Sequence, residues 1–325
     1  MRIVITGGCG FLGYRLALLL LERGSSLGPI DELMLFDNAA PAVPLPNDPR
    51  LKLTVGDIAD RETVARLLRP GAAAVFHLAA VVSAAAEADT ELGYRVNLDG
   101  TRAVLDACRA LGTRPRLVFA SSLAVYGGEL PPEVGDDTPL RPQSSYGVQK
   151  AIGELLVGDY SRKGFIDGRA LRLPTVVVRP GRPNRAASTF ASSMIREPLA
   201  GKEAVCPVRP DLVMALASPR AVVAALHRAH ELPGEAFGGN RSLQLPGFSV
   251  SVGEMAEAVR RAGGEAAYAR IRWRHDPAIE AIVAGWPAAL AAPRALALGF
   301  TTDAGIDAAV EAFVEDDLEM QKALA

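Results

Sequence analysis

The chain has 325 residues, of which 49% are hydrophobic, and its formal net charge at pH 7 is -2. That length and hydrophobic content are enough to bury a large core, in one large domain or two modest ones. The small net charge, without a long basic run, gives no electrostatic reason to expect nucleic acid or a membrane as a partner.

The cysteines and the start of the chain indicate the compartment. Cys9, Cys108 and Cys206 are too few and too scattered for a disulfide framework or a cysteine-rich metal site. The first predicted strand begins almost at Met1, which leaves no room for a signal peptide. We therefore expect a reducing compartment, the cytoplasm, with free thiols.

Short apolar strands alternate with helices through the first half of the chain. We predict strands over 2–6, 32–36, 51–55, 74–78 and 116–120. The helices are predicted over 14–23, from an N-cap at Asp60 to 69, over 87–111 and over 146–163. Such alternation predicts a parallel sheet with helices on both faces.

The alternation continues into a sixth strand, predicted over 169–178, and then weakens as Pro and Gly become frequent. Further helices are predicted over 219–231, 252–262 and 306–314. We therefore predict an α/β fold, a Rossmann-type doubly wound parallel sheet with a small interleaved C-terminal substrate lobe. The expected domains are 1–180, with a return segment near 217–241, and 181–325, mostly the substrate lobe.

A glycine-rich turn joins the first strand to the first helix. Gly7, Gly10 and Gly13 have the spacing in which one glycine makes a tight turn, one admits a pyrophosphate and one lets the helix pack closely. The N–H groups at the helix start then face the phosphates, and Phe11 and Leu12 of the turn are predicted to contact the cofactor. A strand–turn–helix without a ligand is the alternative.

Acidic residues end the second and third strands. Asp37 stands where a carboxylate would accept from both ribose hydroxyls and repel a 2′-phosphate, so we expect NAD rather than NADP. Asp57 could accept from the adenine amino group, and Ile58 could pack on the ring. For both acids a plain turn residue remains the alternative.

A hydroxyl, a phenol and an ammonium complete the predicted catalytic set. Tyr146 and Lys150 lie four residues apart, on one face of a helix, and Ser121 and Ser122 end the fifth strand. A tyrosine has an ordinary pKa of about 10, and a nearby ammonium lowers it toward the range of a general base. Ser122 would hydrogen-bond the substrate oxygen.

These motifs together resemble the extended short-chain dehydrogenase/reductase family, which includes NAD-dependent epimerases and dehydratases. The matching segments, in order, are 6–13, 56–58, 77–80, 97–101, 121–127 and 146–150. The resemblance implies that Ser122 is the catalytic serine and that NAD contacts Leu78, Ala79 and Ala80. It also implies that Asn97 bonds backbone in the helix it interrupts. Cys9 departs from the family, which often has alanine there.

The second half narrows the resemblance to one group of that family. Segments 167–181, 190–199 and 282–287 are similar to the D-erythronate dehydrogenases, which oxidise C2 of a four-carbon sugar acid. A carboxylate substrate needs a cation, and Arg179 and Arg182 follow the sixth strand. Ser83 and Thr175 could bond substrate hydroxyls. Surface arginines in a Pro/Gly loop are the alternative.

Three functions remain to be separated. A dehydrogenase releases NADH, whereas a sugar-nucleotide epimerase of the same fold returns the hydride and keeps NAD bound. A dehydratase usually has an acidic pair after the catalytic hydroxyl, where this chain has Leu123 and Ala124. A non-catalytic cofactor sensor would tend to lose Tyr146 or Lys150. The resemblance further implies a homodimer formed through the helices predicted over 87–111 and 146–163, and we expect no metal, since His227 and His230 lack a third ligand nearby.

Overall fold

The computed structural model describes residues 1–41, 43–181 and 187–323. The chain divides into two compact units. Unit 1 consists of Met1–Val125, Pro142–Arg172 and Val223–Leu243, and unit 2 of Tyr126–Arg141, Leu173–Val222 and Gln244–Ala325.

The strands alternate with helices through unit 1 and become shorter in unit 2. In chain order the strands are β1 (Arg2–Thr6), β2 (Glu32–Asp37), β3 (Leu51–Val55), β4 (Ala72–His77), β5 (Arg116–Ser122), β6 (Asp167–Leu173), β7 (Thr175–Val176), β8 (Ala204–Cys206), β9 (Val213–Ala217), β10 (Ser242–Gln244), β11 (Phe248–Ser251) and β12 (Ile271–Trp273).

The helices include several short ones. They are α1 (Phe11–Arg23), α2 (Arg61–Leu67), α3 (Ser83–Ala88), α4 (Thr90–Gly93), α5 (Gly100–Leu111), α6 (Ser145–Arg162), α7 (Thr189–Leu199), α8 (Pro219–Glu231), α9 (Val252–Tyr268), α10 (Pro277–Ala284), α11 (Pro293–Ala297), α12 (Ile306–Asp316) and α13 (Leu318–Ala323). A π-helix spans Tyr94–Asp99, and 3₁₀ turns span Leu123–Val125 and Gly234–Phe237.

Unit 1 is built on a seven-stranded parallel sheet in the order β10-β6-β5-β4-β1-β2-β3. The strand order reverses between β1 and β4, which pair in parallel. All five residues of β1 are buried, so helices cover both of its faces. The predicted Rossmann-type α/β fold is confirmed, and the carboxyl ends of β1 and β4 form the crevice in which such sheets bind ligands.

The single long helix predicted over 87–111 is wrong. The chain forms α3, α4, the π-helix and α5 in its place. Asp89 ends α3 and caps α4, where its side chain accepts a hydrogen bond from the backbone N–H of Leu92 at 2.9 Å. The π-helix widens the backbone at Asn97, whose side chain bonds Val81 outside the helix.

The sixth strand is shorter than predicted. Within 169–178, β6 ends at Leu173 and β7 covers only Thr175–Val176. Pro174 separates them, because proline has no N–H to donate to a strand ladder. In unit 2, β7 pairs in parallel with β9, so the chain leaves one sheet and enters another at this proline.

Unit 2 has its own core around α7 and α9. The cluster includes Phe190, Met194, Met255 and Val259, all buried. Helix α9 begins with a capping box between Ser251 and Glu254, and its helical conformation is interrupted at Gly264. Within the residues that the structure describes, no helix combines the length and apolar character needed to cross a bilayer.

Candidate active site

The glycine turn after β1 is shaped by backbone contacts that leave no space for side chains. Gly7 has a φ of +69°, and a Cβ there would lie 2.8 Å from the backbone N of Ala79. A Cβ on Gly13 would lie 2.2 Å from the carbonyl oxygen of Gly7. At Gly10 the nearest atom to a Cβ is that same oxygen, at 3.3 Å. The turn is therefore packed on its inner side, whereas Gly10 is exposed.

These features fit a dinucleotide pyrophosphate. Gly10 caps α1 without a side chain, so no side chain of the cap accepts from the first N–H groups, at Phe11 and Leu12. Such groups have no partner within the helix and carry the positive end of the helix dipole. A phosphate at the exposed glycine would meet backbone rather than Cβ atoms.

Asp37 connects the end of β2 to this turn. Its Oδ2 accepts from the backbone N–H of Cys9 at 2.9 Å, and its Oδ1 accepts from Asn38 at 2.8 Å. Each carboxylate oxygen keeps a lone pair for a further donor, as a ribose diol requires. Burial, followed by the nearby charge of Asp37, raises the pKa of the Cys9 thiol to about 11. The thiol is therefore protonated at neutral pH.

Asp57 lies beside an open cavity of about 530 Å³ that is also lined by Arg61, Arg95 and Asp99. The carboxylate accepts from the N–H of Ala59 at 2.9 Å and forms an ion pair with Arg95. These two interactions, the backbone bond first, hold the pKa of Asp57 below its ordinary value.

Ile58 is 5% exposed and packs into the core of unit 1. Its side chain is so close to α5 that a Cβ on Gly100 would lie 2.9 Å from its Cγ2. The packing of Ile58 on an adenine ring therefore stays a prediction.

The segment after β4, with Leu78, Ala79 and Ala80, is held by Asn97. The Asn97 Oδ1 accepts from the N–H of Val81 at 2.7 Å, and Nδ2 donates to the Val81 carbonyl at 3.0 Å. The same Nδ2 donates to Oε1 of Gln149 at 2.8 Å. Asn97 thus bonds the backbone of the loop after β4, and the expectation that its partner lies in its own helix is corrected.

A buried hydrogen-bond chain supports the same edge of the sheet. His77 Nδ1 lies 2.7 Å from Oγ1 of Thr6, and Nε2 lies 2.9 Å from Oγ1 of Thr101. Because Thr101 donates its hydroxyl proton to the Asn97 carbonyl at 2.6 Å, it must accept from His77, which carries its proton on Nε2. Burial, and then the charge of Lys150, lowers the His77 pKa to about 3.

Tyr146 and Lys150 occupy the first turns of α6, which begins with Ser144 as N-cap. The Lys150 Nζ lies 5.6 Å from the centre of the Tyr146 ring and 4.7 Å from that of Phe119. It donates to the carbonyl of Ala120 on β5 at 2.7 Å. Burial lowers the pKa of Lys150 to about 7, against a smaller raising effect from Glu154.

The start of α6 lies close to the 3₁₀ turn that follows β5 and Ser122. A Cβ on Gly147 would lie 2.2 Å from the carbonyl oxygen of Ala124, two residues after Ser122. The Ser122 Oγ accepts from the N–H of Ala124 at 3.1 Å and is half-buried. Its hydroxyl proton can then be donated to a substrate oxygen.

Three side chains that sequence reasoning did not select lie behind this set. The Ser121 Oγ donates to Glu154 Oε1 at 2.5 Å, and Arg172 donates to both oxygens of Glu154. All three residues are buried. The recurrence of polar residues at 146, 150 and 154, one helical turn apart, is the signal that could have identified Glu154.

The candidate substrate residues belong to both units. In unit 1, Ser83 begins α3 and is half-buried. In unit 2, Thr175 pairs with Leu216 on β9, and the Arg179 Nη2 donates to Oγ of Ser188 at 3.2 Å. Arg182 lies outside the described residues.

The histidine pair on α8 has contacts within the protein. His230 Nε2 lies 2.6 Å from Oγ of Ser25, and His227 Nε2 lies 3.3 Å from the Gly24 carbonyl. No cluster of three or more His, Cys, Asp or Glu side chains suited to a metal ion occurs among residues 1–41, 43–181 and 187–323.

The parallel sheet has a glycine turn at its topological switch point, a serine at the end of β5 and a tyrosine and lysine on α6. This combination defines an enzyme of the short-chain dehydrogenase/reductase class. Residues 3–235 match the NAD dependent epimerase/dehydratase family, and the chain belongs to that family.

Two relatives match the sequence of this chain over nearly its full length. The chain is 54% identical to a D-erythronate dehydrogenase of Cupriavidus necator, over 97% of this chain and 98% of that protein. It is 45% identical to a D-erythronate dehydrogenase of Haemophilus influenzae, over 98% of this chain and 100% of that protein. Among solved structures, a nucleoside-diphosphate-sugar epimerase from Agrobacterium tumefaciens superposes with a TM-score of 0.93 at 41% identity, covering 98% of this chain and 95% of that one.

Proposed function

We propose that this protein is an NAD-dependent dehydrogenase that oxidises the C2 hydroxyl of D-erythronate to the 2-oxo acid. The observation that carries this proposal is the 54% and 45% identity to two D-erythronate dehydrogenases over nearly the whole chain. The enzyme is an oxidoreductase of carbohydrate metabolism, its cofactor is NAD and its substrate is a small sugar acid.

The proposed chemistry uses groups of unit 1. Bound NAD supplies the acceptor for the hydride from C2. Tyr146 acts as the general base that takes the proton of the C2 hydroxyl, and Ser122 donates a hydrogen bond to the same oxygen. Lys150 lowers the pKa of the phenol through its positive charge and binds the nicotinamide ribose. Because the ammonium is buried against the aromatic rings of Tyr146 and Phe119, its field on the phenol is weakly screened.

The proposed cofactor site follows the carboxyl edge of the sheet. The glycine turn and the first turn of α1 hold the pyrophosphate, and Asp37 holds the adenine ribose. Asp57 and the segment after β4, which Asn97 supports, are proposed to border the other parts of NAD. Ser83, Thr175, Arg179 and Arg182 are proposed to bind the sugar acid, with an arginine on its carboxylate.

A sugar-nucleotide epimerase is the second candidate. The observation that favours it is the structural likeness to the epimerase from Agrobacterium tumefaciens, with a TM-score of 0.93. The two candidates differ in the fate of the hydride, since an epimerase returns it to its substrate and a dehydrogenase releases NADH. Leu123 and Ala124, where dehydratases have acids, argue against dehydration.

The test is the growth of NADH absorbance with purified protein, NAD and a panel of four-carbon sugar acids, with UDP-sugars assayed in parallel. We expect net NADH with D-erythronate and none with a Tyr146→Phe variant. Conversion of a UDP-sugar without added NAD, and no NADH with any acid, would assign the protein to the epimerases.

We further propose a homodimer formed through α5 and α6, in the cytoplasm. Leu155 on α6 is 70% exposed, which is unusual for a large apolar side chain and suits a helix that packs against a second copy. Cys9, Cys108 and Cys206 are free thiols, as a reducing compartment allows. Sedimentation of the wild type as a dimer, and of Leu155→Arg as a monomer, tests the interface.

A further inference from the structure

A buried carboxylate contacts the strand end that carries the catalytic serine. Glu154 lies one helical turn after Lys150 on α6 and is 3% exposed. It accepts from the hydroxyl of Ser121 at 2.5 Å. Ser121 stands between Ala120, whose carbonyl accepts from Lys150, and Ser122. Glu154 therefore restrains the residue that links the acceptor of the ammonium to the hydroxyl for the substrate.

The carboxylate is itself held by the neighbouring strand. Arg172 on β6 donates from Nε to both oxygens of Glu154 at 3.1 Å and from Nη2 to Oε2 at 2.8 Å. The side chains of Arg172 and Glu154 are 5% and 2% exposed. Because such a fork fixes the carboxylate plane, the position of the Ser121 hydroxyl is fixed as well. Two strands and one helix are thereby tied together behind the reaction.

The same carboxylate is the nearby negative charge for the buried ammonium. Lys150 is 3% exposed, and its neighbours are a carbonyl and two aromatic rings. A buried ammonium without an acid in its surroundings loses its proton readily. Glu154 opposes that loss and so favours the charged form that the tyrosinate requires.

We propose that Glu154 is a positioning residue for the oxidation, which holds the end of β5 through Ser121 and keeps Lys150 charged. The inference rests on the proposed roles of Ser122, Tyr146 and Lys150. It predicts two separable defects: loss of the hydroxyl contact misplaces Ser122, whereas loss of the charge weakens the tyrosinate.

Among the described residues, the titratable groups near Lys150 are Tyr146 and Glu154 on α6 and the neutral His77 on β4. Arg172 on β6 is paired with Glu154. The π-helix and α5 present Asn97 and Thr101, which do not titrate. Glu87, which accepts from the N–H of Ser145, and Asp106, which accepts from Tyr160, meet α6 at its two ends.

The charge is tested with Glu154→Gln, which keeps the shape of the side chain. We expect the acid limb of the kcat/KM profile for D-erythronate to move up by about one pH unit, with activity at pH 7 reduced about tenfold. Glu154→Asp keeps the charge and should keep the wild-type limb. If Glu154→Gln does not fold, the same measurement is made on the double variant Glu154→Gln/Arg172→Met, which removes both buried charges.

The hydrogen bond from the Ser121 hydroxyl to Glu154 is tested with Ser121→Ala. Because the Glu154 carboxylate stays in place, we expect kcat to fall severalfold at every pH, with KM and the acid limb of the kcat/KM profile unchanged. Ser161→Ala is the matched control, because Ser161 is a buried serine of α6 whose hydroxyl donates to the Val157 carbonyl at 2.6 Å. It should keep the wild-type kcat.

A substrate-free measurement separates this inference from the proposed function. The phenolate absorbance of Tyr146, taken as the difference from Tyr146→Phe, gives the pKa of the phenol without any turnover. We expect that pKa to be higher in Glu154→Gln than in the wild type. If no acid yields NADH, the proposed function fails and this titration still decides the charge role. An unchanged Tyr146 pKa in folded Glu154→Gln, or in the double variant that replaces it, would overturn the inference, and so would wild-type kcat in Ser121→Ala.

Discussion

The Lys150 ammonium donates to the Ala120 carbonyl across 2.7 Å, in a place where the lysine is only 3% exposed. One hydrogen bond to a neutral oxygen does not replace the hydration of an ammonium. Burial accordingly lowers the Lys150 pKa from 10.5 to about 7. The position is thus costly for the fold while it is useful for a neighbouring phenol.

Replacing Lys150 with Met should therefore stabilise the fold and abolish activity. Between pH 7 and 10.5 the unfolded chain binds a proton at Lys150 that the folded chain does not, so the wild type gains stability as the pH rises through this window. Below pH 7 the wild type bears the full cost of burying the charged ammonium. We expect the free energy of unfolding of Lys150→Met to exceed that of the wild type by a few kcal/mol at pH 6.5 and to approach it at high pH. Urea unfolding at both pH values measures this, and a variant less stable than the wild type at pH 6.5 would contradict it.

Gly10 and Gly13 of the turn should respond differently to substitution by alanine. A Cβ on Gly13 meets the Gly7 carbonyl at 2.2 Å, so Gly13→Ala should displace α1 and lower the melting temperature. A Cβ on Gly10 meets that oxygen at 3.3 Å, so Gly10→Ala should keep the fold and weaken NAD binding about tenfold or more. Calorimetry and fluorescence titration separate the two effects. Gly158→Ala, in open space on α6, is the control and should not weaken either.

Asp37 should decide between NAD and NADP. Asp37→Asn keeps an oxygen for the Cys9 N–H but loses the charge that repels a 2′-phosphate. We expect the Kd for NAD to rise about tenfold to a hundredfold, and the ratio of the Kd for NADP to the Kd for NAD to decrease. Equal discrimination in wild type and variant would show that the selectivity lies elsewhere.

His77 should make the fold sensitive to acid. Its pKa is about 3 in the fold and 6.5 ordinarily, so between these values the unfolded chain binds a proton that the folded chain excludes. Stability therefore falls as the pH drops below 6.5. The glutamine amide supplies a donor group and an acceptor group but does not titrate, so His77→Gln should lose less stability than the wild type between pH 6.5 and 4. Part of the pH dependence of the stability should remain in this variant, because the pKa of His230 is also lowered to about 3. Urea midpoints across this range provide the measurement.

The sequence was sufficient for the first five strands of the central sheet and for the glycine turn, whereas β10 was not predicted. β1 and β3 have their predicted bounds, and Asp60 caps α2 as expected. These features depend on local patterns, namely continuous apolar runs and a capping side chain. The break of the helix predicted over 87–111 depends instead on Asn97 and Val81, which are distant in sequence.

Glu154 shows a different limit of sequence reasoning. A lone acid on a helix is normally solvated, and acids are rarely buried unless they are paired. The partner that permits its burial, Arg172, is 18 residues away on another element, and no local pattern connects the two. The buried support behind the catalytic residues was therefore missed, although the residues themselves lie in recognisable motifs.

Binding of the substrate carboxylate should depend on one of two arginines, Arg179 or Arg182. The Arg179 guanidinium donates to Ser188 at 3.2 Å, its backbone N–H donates to Ser192 at 3.0 Å and its carbonyl accepts from Arg196 at 2.6 Å. So many contacts favour a structural role for Arg179 in unit 2. We expect Arg182→Ala to raise the KM for D-erythronate about a hundredfold with little change in the KM for NAD, since a bidentate bond to a carboxylate is lost.

Arg179→Lys is the matched comparison. It keeps the charge but not the fork, and we expect it to lower the melting temperature more than it changes KM. Steady-state kinetics with D-erythronate and NAD, beside thermal unfolding of both variants, gives the comparison. If Arg179→Lys raises the KM for the acid while Arg182→Ala leaves it unchanged, the anchor is Arg179. If Arg182→Ala raises both KM values equally, Arg182 acts on the active site as a whole and does not bind the acid.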